Sequence, residues 1–428
     1  MSHTIKDLVT AYGNKVIDNR RYLHAHPELS FQETDTAHWI RERLAAAGIP
    51  VLDGISGNST VGYLIGSQSG PSIGLRADID ALGLTEESDF PFKSTKPGVM
   101  HACGHDAHTA VLMGVAEILA AHKDLIKGTV YFIFQQGEEF LPGGACTLVE
   151  EGIADKVDAF FAIHVDAERP FGSVDVLEGT RSAAIATFEI TVTGKGGHGS
   201  TPHTANNPLL PASDLVDAIS MIPAMKCGPL DNATVSVTYL HSGTLGVANV
   251  IPETAVLGGA VRVLDTQLRS FVTEEIKRLG ETIPAAYACS SEVTIVNGYP
   301  AVVNAPACVT VMQESAREIG LEVAHIDPRL GGEDFAYYGM KKPAAIAWFG
   351  MADATGKHAP TPHHNPKFRI DDETGLPAAL EYMLTVYTKA CEAFAAHQRQ
   401  AKRRRHKSSA FSYIQPYWGG INPLSIAK

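Results

Sequence analysis

The chain has 428 residues, more than a single hydrophobic core usually holds, so two domains are expected. With 45% hydrophobic and 19% charged residues, its composition is typical of a globular protein. No apolar run approaches the roughly 20 residues that a membrane-spanning helix needs. The polar N-terminal segment lacks the apolar centre of a signal peptide. We therefore expect a cytoplasmic protein without a membrane partner.

The net charge of -12 is unevenly distributed along the chain. Residues 398–428 contain seven Lys or Arg and no Asp or Glu, so residues 1–397 carry 28 basic and 47 acidic side chains. An acidic body repels phosphates, which argues against a nucleic-acid partner. The basic tail differs from the rest of the chain in charge and pattern. We interpret residues 398–428 as a disordered extension, with a basic arm for nucleic acid or an anionic membrane as the alternative.

Strands and helices alternate in the first 182 residues. The N-terminal segment, up to about residue 26, has the pattern of an amphipathic helix, and a second helical pattern covers residues 108–122. Four short apolar runs are typical of strands buried on both faces: 60–66, 72–80, 129–136 and 159–166. This alternation predicts an α/β domain with a mostly parallel sheet flanked by helices.

From about residue 183 the pattern changes to alternating, β-branched strands separated by two amphipathic helices. Such a pattern predicts an inserted α+β domain, which we place at residues 183–294. The α/β pattern then returns, with a helix at 307–320, a strand at 342–350 and a long helix from Thr374 to about Ala396. The first domain is therefore predicted to be discontinuous, with residues 1–182 and 295–397.

The densest group of reactive side chains lies in the segment MHACGHDAH, residues 100–108. Its thiol, imidazoles and carboxylate together form a ligand set for a first-row metal, with zinc as the default. The segment lies between a strand and the start of a helix, where an α/β sheet usually presents its ligands. Because C-x-H alone is a weak signal, a helix cap beside a buried Cys103 is the alternative. The other five cysteines have no framework spacing and are expected to be free thiols.

Further acids and histidines follow the later strands. The run 129–136 leads into Glu138 and Glu139, which repel each other unless a cation holds one of them. If Glu139 binds metal, Glu138 is free to act on water; two solvated loop acids are the alternative. His164 lies near the end of the run 159–166, at the same sheet edge if the strands are parallel neighbours. This shared edge favours a metal site over separate structural side chains.

Eight motifs occur in an order and spacing that resemble the aminoacylase/carboxypeptidase G-type metallopeptidases. The resemblance is to the branch of hippurate hydrolases, auxin-conjugate (indoleacetyl-amino acid) hydrolases and N-acetyl-diaminopimelate deacetylases. The motifs are HAHPELSFQET, LRADIDAL, MHACGHDAHTA, QQGEE, GKGGHGSTPH, NVIPE, GGEDF and HHNPKF. The resemblance implies a catalytic α/β domain with an inserted lid domain used in dimerisation, so a homodimer is expected.

The resemblance also implies roles for individual residues. Glu138, the first acid of QQGEE, is implied as the general base. His198 is implied as a lid histidine that reaches the substrate carbonyl, within its own subunit or across the dimer. Asn249 and Arg262 are implied to bind the substrate carboxylate. Five side chains are implied as ligands of two divalent metal ions: Cys103, His105, Glu139, His164 and His364.

Asp78 and Asp80 of LRADID are implied to support the ligands by hydrogen bonds. The sequence departs from the usual pattern at three positions. Gly83 and Gln136 stand where proline is usual, and Gly332 stands where serine is common. None of these departures removes a ligand or the base, so they bear on substrate preference rather than on activity.

These residues predict a metal-dependent amidohydrolase that converts an N-acyl amino acid into a carboxylic acid and a free amino acid. The thiolate ligand favours zinc, although manganese, cobalt or nickel would also suit the site. A metallocarboxypeptidase of the dipeptide or aminobenzoyl-glutamate type is the alternative activity. A thiol hydrolase with Cys103 as nucleophile is disfavoured, because Cys103 and His105 are only two residues apart. A non-catalytic binding protein is disfavoured because it would not need a free Glu138.

Overall fold

The computed structural model describes residues 4–411, with side chains described for residues 4–396. In this part of the chain the helices are α1 (Ile5–Ala25), α2 (Thr34–Ala46), α3 (His105–Ala121), α4 (Gly144–Glu150), α5 (Ile153–Lys156), α6 (Leu209–Ser220), α7 (Ile222–Lys226), α8 (Thr266–Ala286), α9 (Pro306–Glu318), α10 (Ala336–Gly339) and α11 (Asp372–Phe411). The strands are β1 (Thr60–Ile65), β2 (Gln68–Asp78), β3 (Lys127–Gln135), β4 (Ala159–Pro170), β5 (Ser173–Asp175), β6 (Gly179–Thr180), β7 (Ala184–Thr193), β8 (Gly197–His198), β9 (Ala233–Ser242), β10 (Val250–Ile251), β11 (Thr254–Val263), β12 (Ser290–Asn297), β13 (Val303–Asn304), β14 (Glu322–Ala324) and β15 (Ala344–Ala352).

Seven strands form the main sheet, in the order β1-β3-β2-β4-β15-β5-β14. β2 runs parallel to β3 and β4, and β4 runs parallel to β15, whereas β1 is an antiparallel edge strand. Alternate residues of β3 enter two different cores: Phe132 and Phe134 pack with α1, α3 and α11, and Ile133 packs with α4 and α5. The predicted mostly parallel α/β sheet flanked by helices is confirmed.

A smaller sheet is formed by the chain between residues 184 and 297. Its four antiparallel strands have the order β12-β7-β11-β9, and α6 and α8 pack against it around a separate apolar core. The helices and strands are those predicted for an α+β insertion, although β12 continues to Asn297, three residues past the predicted boundary. A short ribbon of β8 and β10 belongs to the same part of the chain.

Buried ion pairs fix the position of α3 relative to α1. Arg20 Nε lies 2.9 Å from Asp106 Oδ2, and both side chains are completely buried. His24 Nδ1 lies 2.7 Å from the same oxygen. Because Asp106 is the second residue of α3, these contacts fix the start of the helix that carries His105.

Several elements differ in extent from the sequence predictions. α3 begins at His105, three residues before the predicted helix, and β4 continues to Pro170, so that His164 lies within the strand. β1 buries Val61 and Leu64 in the cores on opposite faces of the sheet, and only its last residue, Ile65, is exposed. The backbone of α11 continues to Phe411, past the predicted end near Ala396 and into the segment interpreted as a disordered extension. Residues 412–428 lie outside the described residues, so for them disorder stays a prediction. Among the described residues, every helix is too short or too polar to cross a bilayer.

Candidate metal centre and active site

The three parallel strands β2, β3 and β4 bring acids and a histidine to one edge of the main sheet. Asp78 is the last residue of β2, and Glu138 follows β3 after a turn at Gly137. His164 lies two residues beyond Ala162, the last residue of β4 that pairs with β2. Parallel strands end at a common edge, so these side chains lie together although they are far apart in sequence.

A glycine turn places Cys103 and His105 at the same edge. Gly104 has a φ of 91°, in the left-handed region, and immediately precedes α3. A Cβ at Gly104 would lie 2.2 Å from Val165 Cγ2, so a side chain is excluded here for steric as well as conformational reasons. The turn allows the residues on either side of it, Cys103 and His105, to face the end of β4.

All five predicted ligands fall into groups whose donor atoms lie within 4.8 Å of one another. One group contains Cys103, His105 and His164, and another contains Cys103, Glu139 and His364. Cys103 Sγ lies 3.5 Å from His164 Nε2, and Glu139 Oε1 lies 3.1 Å from His364 Nε2. The two groups share Cys103 and therefore adjoin each other.

The donor atoms fit a divalent metal. His105 Nδ1 is hydrogen-bonded to Asp80, whereas His105 Nε2 is buried and has no hydrogen-bond partner among the described residues. A buried nitrogen without a partner costs free energy, and a cation at that nitrogen would remove the cost. Sulfur, imidazole nitrogen and carboxylate oxygen together form a ligand set typical of zinc.

Asp80 supports two candidate ligands through hydrogen bonds, and Asp78 holds His108, which lies beside them. Asp80 Oδ1 lies 3.0 Å from His105 Nδ1, and Asp80 Oδ2 accepts a hydrogen bond of 2.9 Å from the backbone N–H of Glu139. Asp78 Oδ1 lies 2.5 Å from His108 Nδ1, and His108 Nε2 accepts a hydrogen bond from the backbone N–H of Val165. Both ring nitrogens of His108 are thus engaged. Such contacts fix the orientation of metal ligands.

Carboxylates are concentrated around Glu138, which is 6% exposed. Burial raises the pKa of Glu138 well above its usual range, and repulsion from Glu333 and Glu139 adds to the effect. Burial also raises the pKa of Glu333 to about 7 and that of Asp334 to about 6, against the attraction of Arg76. A carboxylate whose pKa is raised in this way binds a proton more readily, which suits a general base.

Arg76 is the buried cation of this cluster. Its guanidinium lies 2.7 Å from Asp78, 2.6 Å from Asp334 and 3.2 Å from Glu333. One guanidinium cannot neutralise these acids together with Glu138 and Asp80. The excess negative charge favours the binding of cations at this edge of the sheet.

A cavity of about 550 Å³ lies between this edge and the smaller sheet. Its volume is within the range usual for small-molecule sites. Arg262 of β11 lines the cavity and donates a hydrogen bond to the carbonyl oxygen of Leu330 at 3.2 Å. The predicted residues that line it are Cys103, Glu138, Glu139, His164, Arg262 and His364.

His198 and Asn249 are not brought to the cavity of this subunit. They lie next to each other on the exposed β8–β10 ribbon, where the backbone N–H of Gly199 donates to the carbonyl of Asn249 at 2.9 Å. His198 Nδ1 accepts a hydrogen bond from the backbone N–H of Ser200 at 3.1 Å. The roles of His198 and Asn249 therefore stay predictions.

Several residues of the cavity wall were not predicted from the sequence. Trp348 of β15 pairs in register with His164 of β4. The guanidinium of Arg329 stacks over the Trp348 ring, 5.3 Å from the ring centroid. Tyr299 lines the same wall, as does Glu333 of the GGEDF motif. Only Glu333 had a motif as a signal. Trp348 could have been found only from the strand order, because β15 is β4's neighbour in space and not in sequence.

An α/β sheet with clustered metal-ligand side chains at one edge, facing a smaller sheet, is the arrangement of a metallopeptidase. The chain belongs to peptidase family M20/M25/M40, whose model matches residues 74–389. It is 36% identical to the N-acetylcysteine deacetylase of Bacillus subtilis, over 87% of this chain and 96% of that protein. It is 40% identical to the N-acyl-L-amino acid amidohydrolase of Geobacillus stearothermophilus, over 70% of this chain and 80% of that protein.

A solved structure has the same fold. The Bacillus subtilis YXEP protein, described as a dinuclear metal binding peptidase from the M20 family, superposes with a TM-score of 0.77. It is 34% identical, and the match covers 90% of this chain and 99% of that one. The family resemblance inferred from the eight motifs is confirmed.

Proposed function

We propose that this protein is a metal-dependent amidohydrolase that cleaves N-acyl amino acids into a carboxylic acid and a free amino acid. The observation that carries the proposal is the buried His105 Nε2, which has no hydrogen-bond partner among the described residues and belongs to a ligand group with Glu138 and Glu139. Both of these acids line the cavity. The names of the deacetylase and the amidohydrolase among its relatives support this class of substrate.

Cys103, His105, Glu139, His164 and His364 are proposed to hold two divalent metal ions. Zinc fits the thiolate best, with manganese, cobalt or nickel as alternatives. When bound, such ions lower the pKa of water toward about 7 and polarise a carbonyl group. Asp80 keeps His105 and Glu139 in place through the hydrogen bonds described above, and Asp78 holds His108 beside them.

Glu138 is proposed to take the proton of the attacking water and to return it to the nitrogen of the leaving amine. Its burial and its carboxylate neighbours favour the protonated form after the first step, which makes the second transfer possible. Both acids lie in groups that could hold a metal ion, but of the two only Glu139 has an oxygen beside His364 Nε2, at 3.1 Å. We therefore assign Glu139 to the metal and Glu138 to the water.

Substrate is proposed to lie between the sheet edge and the lid, by which we mean residues 184–297. Arg262 lines the cavity from the lid side, and its planar guanidinium suits the carboxylate of the amino-acid half of the substrate. Asn249 would assist at the same carboxylate. His198 would donate to the developing oxyanion, and its position outside the cavity favours delivery by a partner subunit across a homodimer formed by the lids.

A thiol hydrolase and a binding protein fit the structure less well. Burial and the charges of Glu139 and Glu138 raise the pKa of the Cys103 thiol well above its usual range, which disfavours a thiolate nucleophile in the metal-free site. A binding protein would need Glu139 as a ligand but would have no use for a second buried acid. Glu138 at 6% exposure has a desolvation cost that catalysis explains and binding alone does not.

The test is turnover by metal-loaded protein on acetyl, benzoyl and indoleacetyl amino acids, with dipeptides and an aminobenzoyl-glutamate substrate as comparison. We expect release of free amino acid that is abolished by a chelator and restored by zinc, manganese, cobalt or nickel. No release from any N-acyl amino acid, or full activity after complete metal removal, would contradict the proposal. Preference for dipeptides would indicate a metallocarboxypeptidase instead.

A further inference from the structure

The chain passes between the main sheet and the lid twice, and the two crossings lie side by side. The backbone N–H of Ile185 donates to the carbonyl of Tyr299 at 3.0 Å, and the N–H of Gly298 donates to the carbonyl of Ile185 at 2.9 Å. A Cβ at Gly298 would lie 2.4 Å from Ile185 Cγ1, so the crossings are packed too closely for a side chain there. They form one short two-stranded connection.

A single side chain from the lid binds both crossings. Arg269 belongs to α8, which packs against the smaller sheet. Its Nη1 atom lies 2.8 Å from the carbonyl oxygen of Gly298, 3.1 Å from that of Tyr299 and 3.4 Å from that of Ile185. Hydrogen bonds from a charged donor are stronger than neutral ones. Arg269 therefore fixes the crossings relative to the body of the lid.

Tyr299 leads from the second crossing to the candidate general base. The side chain is 5% exposed, and its hydroxyl donates a hydrogen bond to the backbone carbonyl of Glu138. The ring fits closely between two glycines: a Cβ would lie 2.9 Å from the ring at Gly143 and 3.2 Å from it at Gly332. A side chain at either glycine would therefore press against the ring.

The peptide group between Glu138 and Glu139 is held from both sides. Its carbonyl accepts the hydrogen bond from Tyr299, and its N–H donates to Asp80 Oδ2 at 2.9 Å. Asp80 lies two residues beyond the end of β2 of the main sheet, whereas Tyr299 is attached to the lid crossing. Asp80 therefore links this peptide to the metal ligands, and Tyr299 links it to the lid.

We infer that Tyr299 is a positioning residue, which couples the lid crossings held by Arg269 to the carboxylate of Glu138. The inference rests on the proposed function, because it takes Glu138 as the general base. Without the Tyr299 hydroxyl, only Asp80 holds this peptide group, so the peptide opens more often. Asp80 Oδ1 still orients His105, so the metal ligands are retained. The carboxylate of Glu138 loses its fixed position relative to the substrate.

The decisive variant is Tyr299→Phe, with Tyr337→Phe as matched control. The ring of Tyr337 lies against that of Tyr299 at 6.5 Å in an edge-to-face arrangement. We expect Tyr299→Phe to lower kcat about tenfold, since small misplacements of a catalytic group are costly. KM and the metal content should stay at their wild-type values, and Tyr337→Phe should change none of these quantities. An unchanged kcat in Tyr299→Phe, or a loss of metal together with activity, would overturn the inference.

Arg269→Met tests the other end of the coupling. We expect it to lower kcat, and the double variant with Tyr299→Phe should be no less active than the more impaired single variant, because both remove the same coupling. Fully additive losses would show that the two residues act independently and would contradict the inference.

Hydrogen exchange gives a readout that needs no turnover. The amides of Ile185 and Gly298 should exchange faster in Arg269→Met, and the amide of Glu139 should exchange faster in Tyr299→Phe but not in Tyr337→Phe. Unchanged exchange at these amides would overturn the coupling even if the enzyme is active. An inactive wild type would refute the proposed function alone, since the exchange rates would still decide whether Tyr299 holds the peptide.

Discussion

The carboxylate of Asp80 accepts a hydrogen bond from the backbone N–H of Glu139 at 2.9 Å, across the edge of the main sheet. The other oxygen of Asp80 lies 3.0 Å from His105 Nδ1. One buried side chain thus orients two candidate ligands that lie 34 positions apart in the sequence. We expect Asp80→Ala to bind metal about 10- to 100-fold more weakly although every ligand is retained.

Titration with a competing chelator measures this affinity directly. Asp53→Ala, at an exposed aspartate, is the control and should bind metal as the wild type does. Wild-type affinity in Asp80→Ala would show that the ligands are held without it.

Glu138→Gln should separate catalysis from metal binding. The amide has nearly the shape of the carboxylate but cannot accept the proton of water, so we expect turnover to fall by about 10²- to 10⁴-fold with full metal content. Glu150→Gln, an exposed glutamate of α4, serves as control. If Glu138→Gln kept more than about a tenth of the wild-type turnover, the general-base assignment would be wrong.

Cys103→Ser and His105→Ala should instead lose metal, unlike Glu138→Gln, which should keep it. Each removes a member of the ligand groups, so we expect a lower metal content and activity that is partly restored at high metal concentration. Elemental analysis after dialysis gives the stoichiometry. Unchanged stoichiometry in both variants would exclude these residues as ligands.

Arg76→Met should lower the free energy of unfolding and not only the activity. The fully buried guanidinium pairs with Asp78, Asp334 and Glu333, and its removal leaves these acids without a partner. Breaking a buried pair in this way costs about 3–5 kcal/mol, which denaturant unfolding of the metal-free protein would measure. Adding Asp334→Asn should recover part of the loss. A variant as stable as the wild type would mean that these acids are protonated in the fold.

His198→Ala and Glu138→Gln test whether the lid histidine acts across a dimer. If it does, a mixed dimer of the two inactive chains contains one site with both residues intact. Subunit mixing should then recover up to about half of the activity per dimer, as isologous pairing requires. Confirmed subunit exchange without recovered activity would place His198 in its own subunit's site or outside catalysis.

The sequence was most informative where local pattern decides the structure. The apolar run at 129–136 and the acids that follow it correctly placed Glu138 and Glu139 at the end of β3. The start of α3 was missed by three residues, because His105 and Asp106 are polar residues that become helical through buried tertiary contacts with Asp80, Arg20 and His24. Local periodicity carries no information on such contacts.

The cavity wall could not be predicted, because it depends on strand order and on the placement of the lid. Trp348 adjoins His164 only because β15 lies beside β4. Tyr299 reaches Glu138 from a segment more than 150 residues away in the chain. For His198 the sequence indicated a lid residue, and the single subunit places it on an exposed ribbon outside the cavity.

The span of the ligand groups has a consequence for how the protein matures. Cys103 and His364 belong to one group, although the whole lid and much of the main sheet are synthesised between them. A nascent chain can complete the lid core, which ends near residue 301, while the centre still lacks one donor. With the proposed ligand set, metal binding by the full centre would come late in synthesis, after both halves of the main sheet are made.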